Sequence, residues 1–507
     1  MPVNTEIFVR IYAAVLTSAV FGFAFRHTWR AEHRMGPSAF EQVWGIGQKD
    51  KRTEIVTATL VFPWMLALIF AMFVLQSGWK EAAARFFHLS ADLLLTMSVF
   101  YALLLLLMPV LRRRISARAC ATAWLLPTYL YVIFCITHVS LMPRIVFYCP
   151  SWLARLLVPV WAVGFALVFA WFVISHLRFC RRILAASSDE TDEQVLAVWR
   201  QNTESFGLHT PVRLVRCKAA TTPFSIGIGK KSRVTVLPAY PYTASELHLI
   251  FRHELHHIRR NDVASKLFFA FLCALFWFHP LVWIAARESA KDLELSCDEI
   301  VLEEADDDER RLYARLLLHT AGERHGFTTC LSADAKSLRY RLTHVMHART
   351  CRLGTGLLIA LLSLCITCHG VLAFSDERTS LGTLLADNGT AGHFLYEVYD
   401  YTGYRYRSLS DADLKEGAGE ELLACLSPLF AEHLSDSETR SPVTGEHSPR
   451  LYISDESGTQ FGMWIYDDVV QLYRFYETDL RKRTSVYYLR GSIDWEKIES
   501  CFLTTCP

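Results

Sequence analysis

The sequence predicts an α-helical polytopic membrane protein with an α+β domain before its last span and a smaller α+β domain after it. Three observations predict this fold class. The 507 residues are 52% hydrophobic, and the mean hydropathy of +0.21 lies above that of ordinary globular proteins. Six apolar runs are long enough to cross a bilayer. The connections between these runs are alternately rich and poor in Lys and Arg, as the positive-inside rule requires of successive spans.

The apolar runs divide the chain into membrane and soluble parts. The first run lacks a basic leader and a small-residue cleavage site, so we expect an uncleaved span and not a signal peptide. The first, third and fifth connections are the basic ones, which places the N-terminus outside and the stretch after the fifth run in the cytosol. The runs lie near residues 7–25, 54–76, 90–110, 118–142, 152–177 and 353–374. The predicted division is a five-helix transmembrane region (1–180), a cytosolic domain (181–350), a sixth transmembrane helix (351–374) and an extracytoplasmic domain (375–507).

The cytosolic domain begins with strands. Residues 211–238 alternate between polar and apolar side chains and are rich in β-branched residues. A strand that precedes an active-site helix can bind an extended peptide by β-augmentation, and RVTVLP (233–238) is the candidate. An ordinary structural hairpin is the alternative interpretation of the same pattern.

A histidine-rich helix follows these strands. The sequence TASE at 243–246 forms a capping box, which predicts a helix that begins there and continues past residue 257. At about 100° per residue, His253 and His257 lie on the same side of this helix, beside its apolar face. His256 lies on the other side, where we expect it to face solvent or lipid headgroups.

The sequence HELHH (253–257) has the spacing of a zinc site. Two neutral imidazoles at i and i+4 can bind one Zn²⁺ ion, and Glu254 beside them can take a proton from a bound water. This HExxH arrangement is typical of zinc peptidases. A histidine-rich amphipathic helix at the membrane surface is the alternative, and a third ligand would decide against it.

That third ligand is expected on the next helix. Glu294 and Asp298 are four residues apart and share one face, so one carboxylate could bind the metal while the other accepts a ring N–H from a zinc histidine. Asp292 and Glu299 are expected to be solvated charges. Cys297 could bind zinc as a thiolate, but it lies off that face and is expected to be packed.

The apolar stretch 267–286 between the two helices is long enough to be a seventh span. If it crossed the membrane, Glu294 would lie on the opposite side from His253. We therefore expect a re-entrant hairpin that is broken near Pro280 and has both of its ends in the cytosol.

Three stretches of this part resemble a known family. They are TTPFSIGIGKKSRVTVLP (221–238), HELHHIRRND (253–262) and WFHPLVWIAARESAKDLELSCDEIVL (277–302). The combination is similar to the cytosolic metallopeptidase domain of the BlaR/MecR-type antirepressor family, which are membrane-bound sensor-transducers with a gluzincin fold. The resemblance covers about residues 1–375 and is most specific across 211–305.

The resemblance implies a fold class and a set of site residues. It implies an α-helical polytopic membrane protein with a cytosolic α+β gluzincin zinc-peptidase domain and a small α+β extracytoplasmic domain. Zinc would be bound by His253, His257 and Glu294. Glu254 would be the catalytic base, and Asp298 would support the ligands. In the family, an extracytoplasmic signal activates the peptidase, which cleaves itself and leads to loss of a DNA-bound repressor.

These implications define the expected function and partners. The chain is expected in the bacterial cytoplasmic membrane as a signal-activated zinc endopeptidase that cleaves a cytosolic protein, by resemblance a transcriptional repressor. The other expected partners are membrane lipid and an unknown extracytoplasmic ligand or protein, without direct contact to nucleic acid, and a second copy of the chain is a further candidate. Tyr313, His319 and Arg341 are candidates for stabilising the transition state by their chemistry alone.

Three other functions compete with this one. A constitutive quality-control gluzincin would have no need of a separate outer domain. A non-catalytic receptor with a structural zinc site would have no need of Glu254 and would usually close its fourth ligand position. An intramembrane protease is disfavoured because Arg252, Arg259 and Asp262 surround the motif, whereas its HExxH would lie inside a hydrophobic span.

Residues 375–507 depart from the family pattern. Members that sense β-lactams end in a large penicillin-binding domain with S-x-x-K and K-T-G motifs, but this stretch has neither motif and only 133 residues. It is acidic, and its tyrosine-rich pattern predicts a ligand sensor or a protein-docking module. Cys425, Cys501 and Cys506 allow one disulfide.

The secondary structure expected for this last domain is mixed. A strand pair is predicted across HFLYEVYDYTGYRYRSL (393–409), followed by a helix near 413–434. About three more strands are predicted across 449–477 and 485–491, and a short helix at 494–503. This pattern defines a small α+β domain.

Overall fold

The computed structural model describes most of the chain. The described residues are 3–33, 61–130, 145–149, 151–208, 212–227, 232–319, 335–346, 352–368, 372–375, 377–387, 392–399, 405–436, 448–454, 461–466, 469–476 and 479–502. Parts of the expected second and fourth spans (54–60 and 131–142) and Cys506 lie outside them. Cys425 and Cys501 are described, and both are free thiols.

Long apolar helices dominate the first third of the chain. They are α1 (Val3–His33), α2 (Val61–Ser77), α3 (Trp79–Leu111), the short α4 (Ala117–Ala123), strand β1 (Ile145–Tyr148) and α5 (Ser151–Ala185). Among the described residues, Leu93–Leu111 and Leu156–Ala185 are long and apolar enough to cross a membrane. Leu66–Leu75 and Thr355–Thr367 are shorter apolar helices. The protein is thus mostly helical here, with two helices suited to a bilayer by length and composition.

The described half of the expected fourth span differs from a continuous helix. Helix α4 ends at Ala123, and a 3₁₀ turn follows at Leu126–Thr128, with Pro127 inside it. Residues 117–128 are buried, including the charged Arg118. Arg118 forms an ion pair with Glu32, which is itself fully buried near the end of α1. A buried charge and a proline that cannot continue a helix both favour a packed short element over a lipid-facing span.

The next unit contains the motif helices and a small sheet. Its elements are β2 (Ser187–Asp189), α6 (Glu193–Ser205), β3 (Arg213–Cys217), β4 (Phe224–Ile226), β5 (Val234–Pro238), α7 (Ala244–Arg260), α8 (Asp262–Leu275), α9 (Pro280–Val301), α10 (Asp307–His319) and α11 (Ala335–Met346). The strand order is β2-β3-β5-β4, in which β3 and β5 are parallel and the other pairs antiparallel. Both edges of β5 are therefore occupied. The prediction that RVTVLP could pair with a peptide is wrong, because the strand at the edge of the sheet on this side is β4.

Helix α7 begins and ends where local chemistry dictates. The predicted capping box is confirmed, because the Thr243 hydroxyl accepts from the Glu246 backbone N–H while the Glu246 carboxylate accepts from the Thr243 backbone N–H. The helix ends at Asn261, whose φ of 57° is left-handed. This residue turns the chain directly into α8, so the end of the motif helix and the start of the hairpin are adjacent.

Helices α8 and α9 form an apolar hairpin. The chain leaves the helix after Leu275, and α9 starts with Pro280 in its first turn, where a proline is tolerated. The indole of Trp161 on α5 donates to the carbonyl of Leu275 at 2.8 Å. Near the turn, Ser98 on α3 and His279 are 2.6 Å apart. The tip of the hairpin therefore packs among the long apolar helices, and both of its outer ends return to the motif helix.

The last part of the chain is a separate α+β domain. After α12 (Thr355–Cys368) come β6 (Leu372–Ser375), β7 (Arg378–Ser380), α13 (Leu381–Asp387), β8 (His393–Tyr399), β9 (Arg405–Ser410), α14 (Ala418–Leu426), β10 (Phe430–Asp436), β11 (Ser448–Ser454), β12 (Phe461–Tyr466), β13 (Val469–Tyr476), β14 (Asp479–Arg490) and α15 (Trp495–Ser500). Strands β7 to β14 form one eight-stranded antiparallel sheet in the order β7-β10-β14-β13-β12-β11-β8-β9. Helices α13, α14 and α15 supply side chains to the buried core of this sheet.

The secondary structure predicted for this domain is confirmed in part, since β7, α13 and β10 were not predicted and four strands, β11 to β14, lie where about three were expected. The pair β8–β9 and the terminal helix α15 lie where they were expected. The helix predicted near 413–434 is wrong in its second half, because residues 430–436 form the strand β10. That strand carries Glu432 fully buried between Arg378 and Arg490, and tertiary pairing outweighed the local helical pattern.

A two-stranded parallel sheet joins the terminal domain to the helices. Strand β6, which opens the domain, pairs with β1, which precedes α5. The Arg490 guanidinium also donates to the carbonyl of Val146 at 2.6 Å. The connection before α5 and the terminal domain therefore meet at one end of the helices.

Candidate metal centre

Two histidines of α7 and one glutamate of α9 converge on one point. The Nε2 atoms of His253 and His257 are 3.1 Å apart. One carboxylate oxygen of Glu294, Oε2, lies 3.5 Å from the first of these nitrogens and 3.6 Å from the second. Ligand atoms on a tetrahedral zinc ion with bonds of 2.0–2.1 Å are about 3.3 Å apart. The donor set and its spacing thus fit one metal ion, with a fourth position left for water.

Glu254 lies beside this point on the same helix. Its side chain is buried. Its Oε2 accepts a hydrogen bond from the Ser225 hydroxyl on β4 at 2.8 Å, and that hydroxyl is 3.2 Å from the Thr235 hydroxyl on β5. The sheet therefore orients the carboxylate that the motif places next to the metal point. The contact also links the strand at the edge of the sheet to the predicted base.

Cys297 provides an alternative third ligand. Its sulfur and one ring nitrogen from each of His253 and His257 lie within 4.8 Å of one another. The sulfur, however, is 3.5 Å from Nδ1 of His257, and it accepts from the Arg260 guanidinium at 2.8 Å. Nδ1 is on the opposite edge of the ring from the Nε2 that faces the second histidine. We therefore favour Glu294 as the third ligand, and Cys297 is packed, as the sequence predicts.

A carboxylate holds His257 from behind. Nδ1 of His257 donates to Asp262 at 2.6 Å, and both side chains are fully buried. Arg260 donates to the same carboxylate at 3.1 Å. Burial alone would raise the pKa of Asp262, but the Arg260 guanidinium and the His257 ring outweigh it and hold this pKa well below its usual range. An ionised Asp262 fixes the ring so that Nε2 faces the metal point.

His253 is held through a tyrosine. Asp298 was predicted to accept the ring N–H directly, but its carboxylate is 3.6 Å from Nδ1 of His253. The Tyr313 hydroxyl lies between them, 2.8 Å from Nδ1 and 2.7 Å from the carboxylate. With Nε2 facing a metal, the ring donates to the tyrosine oxygen, and the tyrosine donates to Asp298. Asp298 thus holds His253 indirectly, through the Tyr313 hydroxyl.

Asp298 and Glu294 each have a cationic partner. Arg341 on α11 donates to both oxygens of Asp298 at 2.7 Å and lies 3.7 Å from Oε2 of Glu294. Burial alone would raise the pKa of Asp298, but the Arg341 guanidinium holds it below its usual range. Lys266 on α8 donates to Oε1 of Glu294 at 3.2 Å. One oxygen of Glu294 is thus held by lysine while the other faces the histidines.

The three candidates for transition-state stabilisation lie in different places. The Tyr313 hydroxyl is engaged by His253 and Asp298, and Arg341 by Asp298. His319 is exposed, with its ring 4.4 Å from that of Tyr240, away from the metal point. Tyr313 and Arg341 are therefore part of the ligand support, which their chemistry alone did not reveal.

His256 does not face solvent or lipid. It is buried, with its ring 4.7 Å from Phe206 at the end of α6. Burial lowers the pKa of His256 well below its usual range, and the neighbouring arginines lower it further, so the ring is neutral. The prediction that His256 is exposed was wrong because helix α6 packs against this side of α7. Nothing within the HELHH motif indicates that packing.

Asp292 and Glu299 are not solvated charges either. Asp292 is fully buried and accepts from Arg112 and Trp124. Glu299 is partly buried and accepts from the backbone N–H of Ala117. These contacts come from α3 and α4, which the sequence predicts only as membrane spans.

A small cavity lies between the edge strand and the motif helix. Its lining includes Ser225 and Gly227 on one side and His257 and Ile258 on the other. The cavity therefore separates part of β4 from one of the histidines at the metal point.

Comparison with known proteins shows that the part of the chain around this centre is similar to a peptidase family. Residues 147–345 match the family described as BlaR1 peptidase M56. The regulatory protein BlaR1 of Bacillus licheniformis is 25% identical over 182 residues, which cover 36% of this chain and 30% of that protein. The match thus spans less than a third of that relative. The resemblance to BlaR/MecR-type peptidases is confirmed. Residues 147–345 contain the two histidines, Glu294 and Glu254. This family match supports the prediction that the matched residues form a metallopeptidase domain.

Proposed function

Because residues 147–345 match the BlaR1 peptidases, we propose that this chain is a signal-activated, membrane-bound zinc endopeptidase that cleaves a cytosolic protein. The observation that carries the proposal is the convergence of His253, His257 and Glu294 within 3.1–3.6 Å, with Glu254 buried beside them. A histidine-rich surface helix would not bring a partly buried carboxylate from another helix to this distance.

The residues of the centre divide the chemistry between them. When bound, zinc would polarise the scissile carbonyl and lower the pKa of an attacking water. Glu254 would take the proton from that water and later deliver it to the leaving amine. Ser225 would keep the Glu254 carboxylate in one orientation through its 2.8 Å hydrogen bond. The supports behind the histidines and Glu294 would keep the ligand atoms in place between turnovers.

An extended peptide would bind along β4. This strand lies at the edge of the four-stranded sheet, and its backbone can add a further strand. Ser225 on β4 contacts Glu254, so a peptide paired with this strand would lie near the predicted base. The expected substrate is a flexible segment of a cytosolic protein, because an extended backbone is required for such pairing.

The arrangement of the connections supports a cytosolic centre and an extracytoplasmic terminal domain. The C-terminal ends of α1 and α3, after which the basic connections follow in the sequence, adjoin the metal unit, where Arg259 donates to the carbonyl of Ala31 and Arg112 pairs with Asp292. The connection poor in Lys and Arg, which contains β1, pairs with the first strand of the terminal domain. The expected location is thus the bacterial cytoplasmic membrane, with the two soluble units on opposite sides.

The substrate proposed is a transcriptional repressor. The relative named above is a regulatory protein, and the eight-stranded terminal domain gives this chain a separate module that could bind an extracytoplasmic ligand or protein. A constitutive quality-control peptidase is the second candidate, but such an enzyme would not require this module. Identification of the new N-termini that wild-type protein generates in cells distinguishes them, since one DNA-binding protein is expected for the first and many membrane proteins for the second.

The proposed activity is tested by Glu254→Gln in the full chain. We expect the variant to keep its zinc and to lose proteolysis by about 10²–10⁴-fold, because the amide cannot accept the proton. Glu304→Gln, which changes an exposed glutamate just after α9, is the matched control and should cleave as wild type does. Cleavage by Glu254→Gln at the control rate, with zinc content equal, would remove Glu254 as the base and with it the proposed reaction.

A further inference from the structure

Helix α9 has two acidic faces on opposite sides. At about 100° per residue, Glu294 and Asp298 lie on one face, whereas Asp292 and Glu299 lie on the other. The first face is directed at the metal centre. The second face contacts α3 and α4. One rigid helix thus connects the third ligand to the long apolar helices.

The contact with α3 is an ion pair at the end of that helix. Arg112 donates from Nε to one oxygen of Asp292 at 2.7 Å and from Nη2 to the other at 2.9 Å. Trp124 donates to Asp292 at 2.8 Å, and Arg112 also donates to Glu288 at 2.9 Å. Asp292 has no exposed surface. A bidentate pair in this setting fixes both the distance and the orientation of the two helices.

This ion pair lies next to the third ligand in the chain. Asp292 is two residues before Glu294, and no flexible residue separates them, because both belong to the continuous helix α9. A change in the position of Asp292 therefore moves the Glu294 carboxylate by a similar amount. Zinc bonds tolerate displacements of only about 0.2 Å, so even a small movement would change the affinity of the site.

The same apolar helix also reaches the terminal domain. Helix α3 contacts β6, the strand that opens this domain and pairs with β1. It is 33 residues long, which corresponds to about 50 Å at 1.5 Å per residue. One helix thus contacts the first strand of the terminal domain and the helix that carries the third ligand.

We propose that Arg112 is a positioning residue for Glu294, through which α3 sets the geometry of the metal centre. The inference rests on the proposed function only in taking Glu294 as a zinc ligand. Through this contact, a shift of α3 caused by the terminal domain would strengthen or weaken zinc binding by moving α9. Arg112 contacts Asp292 and Glu288, and none of its hydrogen bonds within the described residues is to a group at the metal point.

The test measures zinc affinity and thermal stability of the full chain in lipid nanodiscs. Arg112→Gln removes the bidentate contact and is compared with Arg113→Gln, which removes the same charge from an exposed neighbour on the same connection. Asp292→Asn and the double variant complete a double-mutant cycle. Zinc affinity is read by competition with a chromogenic chelator, and folding by the melting temperature of each variant.

We expect Arg112→Gln to bind zinc about ten-fold or more weakly than Arg113→Gln, since partners behind metal ligands contribute on this scale. The double variant should be no weaker than the weaker single variant, because both changes break one contact. Equal zinc affinities of folded Arg112→Gln and Arg113→Gln would overturn the proposal, as would fully additive losses.

Two further outcomes separate this inference from the proposed function. If Arg112→Gln loses stability as well, Arg112→Lys is the second variant, because lysine keeps the charge but not the bidentate geometry. It should be folded and should still bind zinc more weakly than wild type. Zinc affinity like that of wild type in this variant would also contradict the proposal. Wild-type protein that binds zinc but cleaves no protein would defeat the proposed peptidase function while leaving the affinity comparison decisive.

Discussion

Among single residues, His253, His257 and Glu294 each form a hydrogen bond with a different partner on the side away from the metal point. His257 is held directly by Asp262, His253 through Tyr313, and Glu294 by Lys266. Helical spacing was sufficient to place His253 and His257 together, because i, i+4 pairs share a face, whereas the choice of Glu294 over Asp298 as the third group came from the family resemblance. It could not predict the supports, since they lie past the end of α7 or on other helices.

Tyr313→Phe tests the tyrosine support of His253. The phenyl ring still fills the space, but the hydroxyl that links Nδ1 of His253 to Asp298 is removed, so the ring N–H of His253 loses its acceptor. We expect zinc affinity to fall about ten-fold, measured by chelator competition. Tyr240→Phe, at a more exposed tyrosine, is the control. A variant that binds zinc as tightly as this control would show that Tyr313 does not position the histidine.

His256 and His257 should respond differently to replacement by alanine. His257→Ala removes a ligand and should abolish stoichiometric zinc binding. His256→Ala leaves a cavity against Phe206 and should lower the free energy of unfolding by about 2 kcal/mol, with zinc content per folded chain unchanged. Metal analysis of the folded fraction checks both. Equal loss of zinc would mean that α7 is rotated from the orientation described here.

Among the helices and strands, local sequence patterns predicted where helices begin better than they predicted which elements pack against each other. The capping box correctly marked the start of α7, and the break predicted near Pro280 lies between α8 and α9. The order of strands was not accessible, because alternation predicts a strand but not which strand pairs with it. The covering of α7 by α6 and the buried contacts of Asp292 likewise depend on segments distant in sequence.

The hairpin formed by α8 and α9 should have both ends on the cytosolic side. Single cysteines at Ser245 and Glu304, exposed positions that flank the hairpin, are placed in a cysteine-free background. Neither should react with a membrane-impermeant thiol reagent added to intact cells, whereas a cysteine at the exposed Glu416 of the terminal domain should react. Labelling of position 304 from outside would make the stretch a true span and would separate Glu294 from the histidines.

At the scale of the whole molecule, the apolar helices have a different partner at each end. The terminal domain has its own buried core, formed by residues between 381 and 502. Its attachment to the rest of the chain includes the β1–β6 pairing and the Arg490 contact with Val146. The metal unit instead contacts the ends of α1 and α3, through the Arg259–Ala31 hydrogen bond and the Arg112–Asp292 ion pair. The described contacts thus connect the two soluble units to different parts of the apolar helices.

The terminal domain should fold alone and should not be acylated by β-lactams. Residues 375–507 contain no S-x-x-K motif, so no serine there is activated by a lysine one helical turn away. The isolated domain, produced in the periplasm, should unfold cooperatively and should remain unlabelled by a fluorescent penicillin. Labelling that disappears on replacement of one serine would identify a nucleophile that the sequence does not predict.

If His253, His257 and Glu294 bind one zinc ion and leave an open position, X-ray absorption at the zinc edge of purified full-length protein will show it. We expect about one zinc per chain with two imidazole nitrogens at about 2.0–2.1 Å, oxygen ligands at about 2.0–2.2 Å and no sulfur. A sulfur ligand at about 2.3 Å that disappears in Cys297→Ser would rule this ligand set out, because it would place the thiolate and not Glu294 in the third position.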